Sequence, residues 1–141
     1  MLVQRLGDDA RTRTLYGGSG TLDLEYYFRA TTALATTVMR LHLEPGASEG
    51  EHLHLGDDPG SCSPESSDEL YVVATGEVVA TVDGESTVLR SGDALYAPAG
   101  SRHGVANESS EPADLILVFG PPDPPSGPPG LSSARPAPGG T

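Results

Sequence analysis

From Leu22 to Phe119 the chain is written in period two, and nowhere does it hold a convincing helical period over ten or more residues. In Leu22–Arg29, Leu22, Leu24, Tyr26 and Phe28 fall on one face and Asp23, Glu25, Tyr27 and Arg29 on the other, the alternation of a half-buried strand. Thr36–Glu44 repeats it, with Met39, Leu41 and Leu43 opposite Arg40 and His42. Further strands are expected at 69–75, 78–82, 87–90, 94–97, 103–107 and 113–119, with short edge strands at 2–6 and 12–16. Turn residues punctuate the series. Pro45-Gly46 ends one strand, Gly76 suits the first central position of a type II′ hairpin over 75–78, and Asp83-Gly84 suits a type I′ turn. About ten short strands without helices point to an antiparallel sandwich or barrel.

Within that frame the triplet His52-Leu53-His54 carries chemistry. On an extended strand, residues i and i+2 face the same way with Cα atoms roughly 6.5 Å apart, so both imidazoles reach one ion. Glu69 opens a later strand and His103 follows the loop 98–102. Three imidazoles and a carboxylate form a mixed nitrogen and oxygen set suited to a divalent transition metal. Taken alone, the triplet is equally well read as two exposed strand histidines.

The spacing around these residues adds a resemblance. Five residues lead from Gly46 to His52 and His54, and six separate Glu69 from Gly76; five lead from Gly92 to Pro98, followed by Gly100, His103 and Asn107. This resembles the two-motif signature of the cupin superfamily, G(x)5HxH…E(x)6G and G(x)5PxG(x)2H(x)3N. One departure stands out: fourteen residues separate His54 from Glu69, more than the short gap usual in the family. The resemblance implies a double-stranded β-helix, the small conical barrel or jelly roll that carries its metal inside. It implies His52, His54, Glu69 and His103 as ligands, and dimers built by exchange of amino-terminal strands. Asp58 competes with Glu69, because it lies where the family's usual glutamate would fall; Glu69 is favoured because it begins a strand and keeps its distance to Gly76. Fe, Mn, Ni, Co and Zn all accept such a set. Four protein donors leave one or two positions open on a five- or six-coordinate ion, an arrangement for catalysis or ligand binding more than for structure.

Tyr71 and Val73 share Glu69's face by period two. Tyr71, His42 and Tyr96 are the candidate catalytic side chains, His42 only if its strand turns Arg40 and His42 inward, and Tyr96 only if it sits at the cavity mouth near Pro98. Residues 55–68 are small, polar and acidic, and read as a surface loop inserted into the first motif. Asp57, Asp58, Glu65 and Asp68 there favour a neutral or cationic substrate if the loop serves as a lid.

Composition excludes other chemistry. Net charge is −12 with eight arginines and no lysine, which argues against nucleic acid and removes Schiff-base catalysis by a side-chain amine. Cys62 is the sole cysteine, so no intrachain disulfide or CxxC site exists, and it reads as a free loop thiol. Gly17-Gly18-Ser19-Gly20 lacks a following helix and reads as a loop rather than a phosphate cradle. No apolar run is long enough to span a membrane, and the first residues lack a signal peptide's apolar stretch, so the cytoplasm is expected. Residues 121–141 hold eight prolines and four glycines and are expected to be a disordered tail after one domain at 1–120. The resemblance then implies a metal-dependent cupin enzyme acting on a small organic molecule (dioxygenase, isomerase or cyclase, or lyase), of the kind found in specialised metabolism. The alternative is a metal-bearing cupin that only binds or senses a small ligand.

Overall fold

The computed structural model describes residues 1–63 and 65–120. The expected tail at 121–141 lies outside the described residues. Ten strands form two antiparallel sheets, and no helix occurs among the described residues. They are β1 (Ala10–Arg13), β2 (Leu22–Tyr26), β3 (Thr37–Leu43), β4 (Ser48–His52), β5 (Glu69–Thr75), β6 (Glu77–Val82), β7 (Glu85–Arg90), β8 (Ala94–Ala97), β9 (His103–Ala106) and β10 (Ala113–Phe119). One sheet runs β1-β2-β3-β10-β5-β8 and the other β4-β9-β6-β7.

Period two decides the core. Leu22 and Leu24 of β2, Met39, Leu41 and Leu43 of β3, Tyr71 and Val73 of β5, and Leu115 and Leu117 of β10 turn inward from the larger sheet. Val78, Ala80, Leu89 and Val105 meet them from the smaller. Each fully buried Leu or Val contributes about 1.5–3 kcal/mol relative to exposure, so this face fixes the register of both sheets.

Four expectations are corrected. Residues 2–6 form no strand: Gln4 Nε2 donates to Tyr26 O (2.8 Å) and Gln4 Oε1 accepts from Phe28 N (2.7 Å), which tie the segment to the end of β2 by side-chain bonds. The first strand is β1, not 12–16, because Tyr16 takes φ 51° and turns the chain. Glu25, on the expected solvent face of β2, is buried, since the amino-terminal segment folds over it and Gly7 N donates to its Oε1 at 2.9 Å. Gly76 makes no hairpin. β5 pairs with β10 and β8 while β6 pairs with β7 and β9, so Gly76 (φ 83°) carries the chain from one sheet to the other. A Cβ there would lie 2.5 Å from Pro112 O, which leaves room for glycine alone. Asp83 (φ 48°) and Gly84 (φ 83°) do form the expected tight hairpin between β6 and β7.

Candidate metal centre

The start of β5, the start of β9 and the end of β4 meet at one end of the sandwich. That places Glu69, His103 and His52 together, with His54 two residues beyond His52. One donor atom from each of the four lies within 4.8 Å of the other three. Glu69 Oε2 is the hub: His103 Nε2 stands 2.8 Å away, His54 Nε2 3.0 Å and His52 Nε2 3.7 Å. All four side chains are buried.

The backbone orients the imidazoles. His52 Nδ1 donates to Gly50 O at 2.9 Å and His103 Nδ1 to Ser101 O at 3.0 Å. With Nδ1 committed to a carbonyl, each Nε2 is aimed at the hub, where it bonds Glu69 and, on giving up its proton, would offer a lone pair to an ion, the orientation of metal-ligating histidines. His54 Nδ1 has a different neighbour, Cys62 Sγ at 3.3 Å. Burial works to raise Glu69, but hydrogen bonds from His103, His52 and His54 outweigh it and hold the carboxyl well below the usual carboxylate range. For His103, burial works to lower the ring, while the bonds to Glu69 and to the Ser101 carbonyl raise it. Three aligned imidazole nitrogens around one charged carboxylate oxygen suit a divalent transition metal by both donor type and approach.

A fifth buried group was not singled out in the sequence. Glu49 Oε2 accepts from Tyr71 Oη at 2.9 Å, and Glu49 Oε1 lies 3.8 Å from His52 Nε2. By strict alternation Glu49 would face away from His52. The pairing shows why it does not: Glu49 pairs with Val105 and His52 with His103, so β4 spends three steps where β9 spends two. The extra residue is a β-bulge, which turns Glu49 and His52 to the same side. Burial pushes the Glu49 carboxyl up to about 7, against the nearby His52 and with the nearby Glu69. Burial likewise raises the Tyr71 phenol well above its ordinary value, and the Glu49 and Glu69 charges add to it. Tyr71 itself lies where period two put it, its ring 5.9 Å from that of His103.

Two of the candidate catalytic residues lie elsewhere. His42 is on the outer face of β3, because Met39, Leu41 and Leu43 take the inner one; its Nδ1 is 2.8 Å from Asp114 and its Nε2 3.1 Å from Glu44. Tyr96 is 57% exposed and pairs with outward-facing Leu70, while Ala97 beside it takes the inner position opposite Glu69. Its hydroxyl donates to Asp68. Asp58 is outside the donor cluster: its Oδ1 caps its own turn by accepting from Gly60 N at 2.7 Å.

The described residues of the loop 55–68 run over the surface as expected and are tied to the site end by Cys62 N to Leu53 O (3.1 Å) and Ala99 N to Asp68 Oδ1 (2.8 Å). Two residues missed by sequence reasoning cover the cluster. Tyr16 stacks on His52 with ring centroids 3.9 Å apart, and Cys62 contacts His54. Nothing local in the sequence marks Tyr16, which lies 36 residues before His52. The alternation-breaking Gly50 beside Glu49 was the one available sign of a bulge.

Residues 39–119, more than half of the chain, match the family described as the cupin domain. The chain is a cupin. It is 24% identical over 111 residues, 77% of its own length and 84% of the relative's, to an oxalate-binding protein of Thermotoga maritima. Over 81 residues it is 32% identical to the tetracenomycin polyketide synthase protein TcmJ of Streptomyces glaucescens, covering 57% of this cupin and 48% of that protein. Among solved structures it is similar to a predicted oxalate decarboxylase from Thermotoga maritima, with TM-score 0.70, 22% identity and coverage of 86% of this cupin and 99% of that chain. It also superimposes on KdgF from Halomonas sp., with TM-score 0.56, 21% identity and coverage of 71% and 78%. At these identities the structural likenesses establish the jelly-roll fold.

Proposed function

We propose that this cupin is a metal-dependent enzyme acting on a small organic molecule, with His52, His54, Glu69 and His103 as ligands and Glu49 with Tyr71 as the proton-handling pair beside them. When bound, a divalent ion (Fe, Mn, Ni, Co or Zn) supplies Lewis acidity to a substrate oxygen. One observation carries the enzyme reading: Glu49 is 5% exposed yet stands outside the donor set. Burying a carboxylate costs free energy unless it is partnered, and a purely structural metal site has no use for a fifth acidic group. Tyr71 holds Oε2 and fixes the plane of the carboxylate, while Oε1 is directed toward the His52 side. From there Glu49 accepts a proton from a bound molecule and returns it at another position. Moving a proton on a molecule held at an ion is isomerase, cyclase or lyase chemistry. The similarity to TcmJ supports a place in specialised metabolism; because this cupin spans about half of that protein, it does not name the substrate.

The second reading, a cupin that only binds its ligand, is favoured by the similarity to the oxalate-binding protein. The acidic loop 55–68 favours neutral or cationic ligands over a free dianion, whereas a bound divalent ion would offset the charge of Glu69 in the site itself.

Metal analysis of protein purified without a histidine tag, followed by an O2-uptake and turnover screen on enolisable small molecules, tests the proposal. Expected are near-stoichiometric metal and turnover without O2 uptake. Glu49→Gln should keep its metal and lose at least about 10²-fold in turnover. Wild-type turnover in Glu49→Gln removes the pair from the mechanism, and saturable binding without turnover selects the binding reading.

A further inference from the structure

Tyr16 sits between β1 and β2 in the left-handed region, φ 51°, a conformation that costs a non-glycine residue free energy and persists only where its surroundings impose it. The surroundings are backbone. Gly50 N donates to Leu15 O at 3.1 Å and Ser48 N to Ser19 O at 2.9 Å, laying segment 15–19 along the bulged part of β4. The approach is so close that a Cβ on Gly50 would stand 2.0 Å from Tyr16 O, and one on Gly18 2.0 Å from Ser48 O. Gly50 also supplies the carbonyl that accepts the Nδ1 proton of His52. One residue therefore anchors both the segment and the imidazole on which the segment's tyrosine stacks.

The ring lies on His52 at 3.9 Å and 22° between planes, and it is the solvent-side cover: Tyr16 is 45% exposed and His52 5%. On the other side of the triplet, Cys62 Sγ of the inserted loop lies 3.3 Å from His54 Nδ1. Two segments, 15–19 and the inserted loop, thus each cover one histidine of the triplet from outside.

We propose that Tyr16 is a positioning residue of the metal centre: its ring, seated on His52 from the solvent side by the backbone packing of segment 15–19 on β4, locks the imidazole toward the hub. This rests on the reading of His52, His54, Glu69 and His103 as ligands.

The backbone strain separates this role from a merely structural one. Tyr16→Gly removes the ring and relieves the strain, so the metal-free variant should melt at or above the wild-type temperature. Loaded with Co(II) and challenged with EDTA, the same variant should lose its metal about tenfold faster, the effect typical of losing a partner that orients a ligand, with an altered visible Co(II) spectrum. Tyr16→Phe keeps the stack, so its spectrum and its release rate should match the wild type. Wild-type release from Tyr16→Gly, or a metal-free Tyr16→Gly that melts several degrees lower, overturns the inference. A wild-type protein that takes up no Co(II) overturns the ligand assignment itself and this inference with it.

Discussion

Two clusters in this molecule pair histidine with carboxylate at the same distance and differ in everything else. On the outer face of the larger sheet, His42 Nδ1 stands 2.8 Å from Asp114, with Arg40 2.6 Å from the same carboxylate oxygen and Glu44 3.1 Å from His42 Nε2. At the site, His103 Nε2 stands 2.8 Å from Glu69, which two further imidazoles also approach. The outer side chains His42 and Asp114 are 18% and 25% exposed; those of His103 and Glu69 are 1% and 3%. Water and Arg40 satisfy the outer group, so nothing remains for a ligand to do. Inside, one carboxylate serves three imidazoles that water barely reaches, and the arrangement favours a cation at its centre. Contact geometry alone does not make a site; burial and the number of unshared lone pairs do.

The sharpest way to break the comparison is to remove one histidine from each cluster. His54→Ala and His103→Ala should each lower metal affinity beyond the ~10–100-fold typical of losing an orienting partner, whereas His42→Ala should leave metal content unchanged by elemental analysis. Metal loss in His42→Ala would erase the distinction.

A second test compares the two faces of β3. Leu41, fully buried, should cost about 2–5 kcal/mol on replacement by alanine in denaturant unfolding, because a cavity adds to the lost transfer energy. Arg40→Ala on the opposite face, losing a partly exposed ion pair, should cost about 1 kcal/mol or less. Equal costs would show that the outer cluster is part of what holds the sheet together.

The smallest effect concerns pH. Burial works to lower His42, but hydrogen bonds to Glu44 and Asp114 outweigh it and raise the ring above its ordinary value. A raised histidine stabilises the fold fully below its unfolded value, near 6.5, and the contribution fades as pH rises through the folded value. The stability gap between wild type and His42→Gln should therefore be larger at pH 5.5 than at pH 9, by no more than about 1 kcal/mol. A gap that widens on going alkaline would mean that His42 is held neutral.

Much of this was open to reading in the chain itself. That His52, His54, Glu69 and His103 converge was implied by the resemblance to cupins; the alternation over 22–26 and 37–43, the Asp83-Gly84 hairpin and the shared inward face of Glu69, Tyr71 and Val73 follow from local period and spacing. Such features depend only on residues a few positions apart, whose relative directions the backbone fixes wherever the strand lies. Tertiary structure decided the rest. Which face of β3 became the interior removed His42 from the site, and the pairing of Tyr96 with Leu70 removed Tyr96. Gly76 became a crossover because the partners of β5 and β6 come from distant parts of the chain. One inserted residue opposite β9 brought Glu49 inside, and backbone packing across 34 residues set Tyr16 on His52. These outcomes belong to pairings between segments far apart in the chain, and a period measured within one segment carries no information about its partner's register.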